Sequence, residues 1–530
     1  MTLIVNLSTQ LPNFEYNSTK LNQLNMKKTL LFLSLFVFMG GILNAQTRYV
    51  DNIFTDADIY VEKDVKYSEN YTVLFGDADT VTPGFQPVLQ NLLMDIYVSD
   101  NDTVSTKPLI ILMHSGSFLP RYINNTPTGY KDDSSMVAMC MEFAKKGYTV
   151  ASMSYRMGWD PRSLDETVRR STIINAAYKG VQDVSACIRW FKDEYLFGNL
   201  YGIDTTMIVV GGQGTGSYMS AAFASLDDQA EIKINKFRDP TTGDPMVNDV
   251  VWGDRHGYGG YPGYNVENNT GHTTEAALAF GIGGALGDTS WMDAGEIPFI
   301  WAHSVYDPFA PYTTGMVNVP GTTLQVVEVS GGYDIMKRCE SLGNTAPYKG
   351  KIMDAYTTEI NKVNDGIDGL YPFVGVQNAS GPYEWYDTMA IKQLPSPPYD
   401  VNTILGGIKA SNPLHSKMRA MKFIDTITNY FAPRIAISLG LIETMGISKE
   451  NLASNVTVAP NPATNQLIIH NNWENNDLTK VVIRNMNGQQ VLDLDVQGAH
   501  NIYQINLTPG IYMVGMEFQN GIGSTKLVVK

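Results

Sequence analysis

The turn Gly212-Gln-Gly-Thr-Gly216 has the spacing of a site for acyl chemistry, with glycine where that chemistry needs a hydroxyl. In Ile208-Val-Val-Gly-Gly-Gln-Gly-Thr-Gly-Ser-Tyr218 an apolar strand enters a glycine-dense turn and continues into a helix-like stretch, Met219 to Ala224. A tight strand-to-helix turn of this kind, a nucleophile elbow in outline, lifts the side chain at its apex clear of the sheet, where a serine can attack an acyl carbon. Positions two residues either side of the apex must be glycine, because side chains there would collide across the turn. Gly212 and Gly216 meet that need only when the apex is residue 214. Moving the apex to Thr215 crowds Gln213 and Ser217, and moving it to Ser217 crowds Thr215 and Met219. The apex requires φ above zero, which glycine adopts at little cost, so Gly214 preserves the backbone while deleting the Oγ. Taken alone, a structural or phosphate-cradling glycine turn looks similar.

The flanking order supplies a scaffold. Leu92 to Tyr97 alternates as an edge strand does, and Pro108 to Met113 is a continuous apolar run suited to a buried parallel strand. His114-Ser-Gly-Ser-Phe118 follows at once. Then come a helix-like Met136 to Lys146, a strand Tyr148 to Met153, and a helix over Ala176 to Phe191 leading to the strand of the turn. Strands alternating with helices predict an α/β fold with a doubly wound, mostly parallel sheet.

With these residues in place, the region from about Asp95 to Ala432 resembles the secreted carboxylesterase branch of the α/β-hydrolases, near its acetyl- and feruloyl-esterase-like and lipase-like members. The resemblance implies an α/β-hydrolase sheet, with the family's His-Gly-Gly-Gly oxyanion segment on His114-Ser115-Gly116-Ser117 and its Gly-x-Ser-x-Gly on Gly212 to Gly216. It puts the catalytic acid at Asp307, within Pro298-Phe-Ile-Trp-Ala-His-Ser-Val-Tyr-Asp307. Oxyanion donors would come from the backbone around Ser115, Gly116 and Thr215. Each matched segment departs from the family pattern: Ser115, Ser117 and Ser304 stand for glycines, and Gly214 stands for the nucleophile. Between Asp307 and the C-terminal module the chain has one histidine, His415, so a triad base must be that residue if one exists. The alternative is a histidine near the start of a closing helix, Lys417 to Phe431. His303 is expected to pack beside the acid, and His114 to hold the oxyanion turn.

Composition sets limits. The chain has 530 residues, enough for a large α/β domain and a small second one, and a net charge of -15 that argues against a nucleic-acid or anionic-membrane partner. Cys140, Cys187 and Cys339 read as free core thiols. There is no His-Glu-x-x-His and no paired Cys-x-x-Cys; the turn Asn364 to Gly369 could touch a cation, but neither metal nor cofactor is expected.

Two addresses flank the enzyme-like region. Met26-Lys-Lys28, the apolar Thr29 to Met39 and Leu43-Asn-Ala45 describe a secretory signal, too short for a membrane span, with residues 1–45 removed and Met26 as the expected initiator. An α/β-hydrolase-like domain over 46–437 and a linker over 438–454 follow. From 455 to 530, short alternating runs at Gln466 to His470, Lys480 to Ile483, Gln490 to Leu494, Tyr503 to Leu507 and Ile511 to Phe518 predict a small all-β sandwich, with turns at Asn487-Gly488 and Pro509-Gly510. Pro460-Asn-Pro-Ala463, Leu507-Thr-Pro-Gly-Ile-Tyr-Met-Val514 and the closing Lys526-Leu-Val-Val-Lys530 resemble the type A sorting domain of type IX secretion. That resemblance implies a secretion-machinery partner and a secreted or cell-surface destination; a carbohydrate-binding sandwich is the alternative.

Two segments between the motifs, Trp252 to Thr274 and Leu370 to Tyr399, carry aromatics that suit sugar stacking, a lid, or ordinary loop packing. Two functions therefore compete: a degenerate hydrolase that binds an ester or glycan ligand without turnover, and an active ester hydrolase, an acyl-glycan esterase, with a nonstandard nucleophile.

Overall fold

The computed structural model describes residues 47–74, 87–375, 379–442, 456–472, 478–485, 489–496, 498–518 and 521–530. The expected signal segment, most of the linker and the Asn487-Gly488 turn lie outside the described residues.

Strands β1 (Ile59–Thr72), β2 (Val88–Ser99), β3 (Lys107–Met113), β4 (Thr149–Met153), β5 (Ile203–Gln213), β6 (Leu278–Ile282), β7 (Ala285–Leu286), β8 (Phe299–Ser304), β9 (Gly315–Asn318), β10 (Gln325–Gly331) and β11 (Leu370–Phe373) precede the C-terminal module. Eight of them form one sheet in the order β1-β2-β4-β3-β5-β6-β8-β11. From β4 to β11 every neighbouring pair is parallel, whereas β2 runs antiparallel to both β1 and β4. The expected edge strand is thus interior. The edge is β1, whose Glu62, Lys63, Asp64, Lys66 and Glu69 mark it as a charged strand that discourages further pairing.

Helices cover both faces. The longer helices are α1 (Ser134–Lys145), α2 (Glu166–Leu196), α3 (Thr215–Ser225), α4 (Gly332–Ser341), α5 (Val401–Ser411) and α6 (Lys417–Ser438), of which α5 packs Ile404 and Ile408 with Ile391 in a separate small core. Side chains of successive strand residues point to opposite faces, so β3 feeds two cores. Leu109, Ile111 and Met113 join Val181, Val184 and Ile188 of α2. Ile110 and Leu112 join Met136, Met139 and Phe143 of α1 and Ile424, Ile427 and Phe431 of α6. This two-sided burial explains why β3 reads as an unbroken apolar run. Cys140, Cys187 and Cys339 are free and buried.

The C-terminal module contains β12 (Val456–Ala459), β13 (Gln466–Asn471), β14 (Leu478–Asn485), β15 (Gln490–Asp495), β16 (His500–Gln504), β17 (Gly510–Phe518) and β18 (Gly521–Val529). They form two antiparallel sheets, β12-β13-β16 and β15-β14-β17-β18. Both sheets feed one core that includes Leu467, Ile469, Val481, Ile483, Val514 and Leu527. The strand expected over Tyr503 to Leu507 lies earlier, because its pairing with β13 runs from His470–His500 to Gln466–Gln504. Among the described residues no helix is long and apolar enough to cross a membrane.

Candidate functional site

The turn between β5 and α3 has Gly214 at its apex, with φ 53° and ψ −114°. Its neighbours confirm why glycine is required two residues away. A Cβ on Gly212 would lie 2.1 Å from the carbonyl carbon of Gly216, and one on Gly216 would lie 2.2 Å from the carbonyl oxygen of Met113. The Gly214 N–H donates to Ile282 O at 2.9 Å, tying the apex to the end of β6. Ser217 points inward, fully buried, its Oγ donating to Gly212 O at 2.7 Å. Thr215 Oγ1 lies 2.9 Å from Tyr155 Oη, which in turn donates to His114 O. Neither hydroxyl faces the apex as a free group, and α3 begins with backbone N–H groups that no side chain caps.

The loop after β3 lies opposite. Its backbone passes through positive φ three times in succession, at Gly116, Ser117 and Phe118. Gly116 is needed for close approach, since a Cβ there would meet Gly129 Cα at 2.7 Å. His114 stacks on Tyr155 with ring centroids 4.4 Å apart, and its Nδ1 lies 2.5 Å from Ser115 O. Burial pushes the His114 imidazole down to about 4, against the pull of the Ser115 carbonyl and with help from Arg121 and Lys131. It is therefore a neutral packing group at ordinary pH. Ser115 does something the sequence did not announce: its Oγ stands 2.3 Å from where a Cβ on Gly214 would be.

Asp307 follows β8. Its Oδ1 accepts N–H bonds from Phe309 at 2.8 Å and Ala310 at 3.0 Å, and the side chain is 3% exposed. His303 lies behind it, with Nε2 at 3.5 Å from Asp307 Oδ2. Gly332 N–H donates to His303 Nδ1 at 3.1 Å, so the ring proton sits on Nε2 and is directed at Ala310 O, also at 3.1 Å. His303 is buried and packed, as its place on the strand suggested.

His415 occupies the turn between α5 and α6, its ring packed on Tyr386 at a centroid distance of 5.3 Å. It does not line the cavity described below. The loop that leaves β11 does: Ser380, Gly381, Tyr383 and Glu384 come from it, and Val374 to Glu384 contains no histidine. The aromatic segment Leu370 to Tyr399 begins with β11, which pairs with β8 as the last strand of the main sheet. Glu384 is buried, and burial pushes its carboxyl up to about 7; the Tyr386 hydroxyl bonded to it opposes this, while Asp133 and Asp307 add to it. Tyr386 thus connects His415 to a carboxyl in the cavity wall.

These residues meet at the head of a cavity of about 210 Å³, where Ser115, Gly214, Thr215, Gly283, Asp307 and Glu384 converge. Its walls are apolar: Ile173, Ile174, Ala177 and Val181 of α2, Tyr218 and Ala222 of α3, Val317 of β9, Val327 and Val329 of β10, with Trp159 and Trp291. Among the described residues no lysine, arginine or histidine lines it. In the other aromatic segment the Trp252 ring lies 4.5 Å from Lys179 Nζ and the Tyr258 ring 4.7 Å from the Arg189 guanidinium, while Tyr261 is exposed. Among the described residues no group of three histidines, cysteines or carboxylates could hold a metal ion.

Sheet order, strand-to-helix turn and cavity define an esterase-like α/β-hydrolase domain, followed by an all-β sorting tail. Residues 94–257 match the BD-FAE family, and residues 457–530 match the secretion system C-terminal sorting domain. The tail marks the chain for type IX export to the cell surface or the medium and implies the secretion machinery as its partner. Among solved structures the chain is similar to esterase 2 of Thermogutta terrifontis phosphorylated by paraoxon, at 17% identity over 46% of this chain and 73% of that one, with a TM-score of 0.27. It is also similar to esterase B of Lactobacillus rhamnosis inhibited by a tributyrin phosphonate, at 15% identity over 53% of this chain and 75% of that one, with a TM-score of 0.26. No curated protein matches it.

Proposed function

We propose that this exported domain binds an ester-like ligand in its apolar cavity without triad-driven turnover. The observation that carries the reading is Gly214 at the apex with φ 53°, the backbone of a nucleophile position without its hydroxyl. Asp307 holds the place of the triad acid. Ser115, Gly116 and Thr215 supply backbone donors for a carbonyl oxygen. His415, the candidate base, stands behind Tyr386, and the cavity wall offers Glu384 instead. An acyl or aryl group suits the apolar walls, which leaves any sugar of an acylated glycan at the mouth. Loss of a triad nucleophile removes on the order of 10⁶ in turnover.

A second reading, an ester hydrolase with a nonstandard nucleophile, has the position of Ser115 Oγ in its favour and lacks a histidine to activate it. The test is a fluorophosphonate probe applied to the exported protein, together with turnover of short p-nitrophenyl esters. The binding reading expects no adduct and negligible turnover. An adduct mapped to Ser115, Thr215 or Ser217 establishes the hydrolase.

A further inference from the structure

Ser115 and Gly214 face each other at the cavity head. Where the resemblance places glycine in the loop after β3 and serine at the apex, this chain has Ser115 and Gly214. The structure makes the exchange physical. A Cβ on Gly214 would lie 2.3 Å from Ser115 Oγ and 3.1 Å from Ser115 Cβ. Non-bonded carbon and oxygen cannot approach to 2.3 Å, so a side chain on residue 214 drives the Ser115 hydroxyl out of its present rotamer and still meets the Ser115 Cβ closely, at 3.1 Å. That hydroxyl makes no hydrogen bond to another described residue and faces the cavity head beside the uncapped start of α3. A hydroxyl both donates and accepts. The cavity below it offers apolar walls, and its carboxyls at Asp307 and Glu384 have no cationic side chain beside them in the lining.

We propose that Ser115 has taken over the apex as a ligand-anchoring residue: its hydroxyl hydrogen-bonds the oxygen of a neutral carbonyl ligand whose apolar body fills the cavity. Neutral carbonyls are selected over carboxylates because the lining has acidic groups and, among the described residues, no lysine, arginine or histidine to balance an incoming negative charge. The inference rests on the binding reading above and deepens it. No bond is made or broken, and Ser115 discriminates by hydrogen bonding and charge alone.

The experiment uses the full exported chain and valerophenone, an aryl alkyl ketone that cannot be hydrolysed, with 5-phenylpentanoate as its charged counterpart, both titrated at pH 8. Wild type is expected to bind the ketone more tightly than the carboxylate by about 10-fold or more. S115A is expected to weaken the ketone by about 3- to 10-fold, the worth of one neutral hydrogen bond. A steric arm needs no ligand. S115G is expected to raise the melting temperature of G214S and not that of wild type, because the crowding at Ser115 exists only when both side chains are present. Equal ketone affinity in wild type and S115A, or preference for the carboxylate, overturns the anchoring role. Independent effects of S115G and G214S overturn the exchange itself. A wild-type protein that binds neither probe overturns the binding reading, while the melting data still decide whether 115 and 214 share one space.

Discussion

Replacing the three glycines of the turn one at a time with alanine separates backbone collision from backbone strain. In G212A the new Cβ meets the Gly216 carbonyl carbon at 2.1 Å, its oxygen at 2.3 Å and the Ser217 nitrogen at 2.5 Å. In G216A it meets the Met113 carbonyl oxygen at 2.2 Å and carbon at 2.6 Å. Those atoms belong to β3 and to the first turn of α3, so nothing can rotate away, and each variant is expected to lose more than about 3 kcal/mol, the upper end of overpacking costs. G214A differs. Its Cβ meets a rotatable hydroxyl, and the dominant cost is an L-residue held at φ 53°, ψ −114°, about 1–3 kcal/mol. G180A provides the control inside α2: its Cβ would lie 2.1 Å from Met219 Sδ, a flexible side chain. Gly to Ala in a helix interior also returns about 1 kcal/mol. Urea unfolding followed by tryptophan fluorescence should therefore rank the variants G180A, G214A, then G212A and G216A, from most to least stable. If G212A or G216A stays within about 1 kcal/mol of wild type, residue 214 is not the apex of a collision-limited turn, and the reading of the site falls with it.

Glu384, raised by burial from 4.5 to about 7, makes stability depend on pH. A carboxyl whose folded value is raised binds more protons when folded, so it subtracts stability as pH climbs from about 4.5 to 7, by up to about 3 kcal/mol. E384Q should therefore gain on wild type between pH 5 and pH 8 in the same unfolding assay, and parallel pH profiles would refute the assignment. A222W fills the cavity from α3 and should reduce valerophenone binding at least about 10-fold with the fold intact by circular dichroism; unchanged binding would place the ligand elsewhere. Deleting 456–530 removes a self-contained core. The remaining domain should stay folded but accumulate in the periplasm, and recovery of the truncated form outside the cell at normal yield would contradict the role of the tail.

Much of the fold was legible because its signals are local. The two-sided burial of β3, the core of α2 over Ala176 to Phe191 and the spaced glycines of the turn are each read from a dozen or so residues, although α2 begins ten residues earlier, at Glu166. What was hidden depends on partners remote in sequence. The pattern in β2 indicates a strand, but only the charged, 14-residue β1 beyond it shows that β2 is not the edge. The position of Ser115 against Gly214 joins loops 99 residues apart, and no spacing rule connects them.

The last strand of the main sheet was missed for a local reason. Strand β11 is four residues long and contains Pro372, which cannot donate to a ladder and argues against a central strand. At the edge of a sheet that objection disappears, and β11 is the edge, paired with β8 alone. Once Leu370–Phe373 is a strand, the loop that follows it, rather than the turn before α6, faces the cavity head. That loop brings Ser380 and Glu384 to the cavity wall, while His415 stays behind Tyr386. A carboxyl near 7 can hold or release a proton at physiological pH, so the cavity carries a titratable group at Glu384 beside the Ser115 hydroxyl. Binding at the cavity head should therefore respond to pH through Glu384 and to polarity through Ser115, two handles that Gly214 cannot supply.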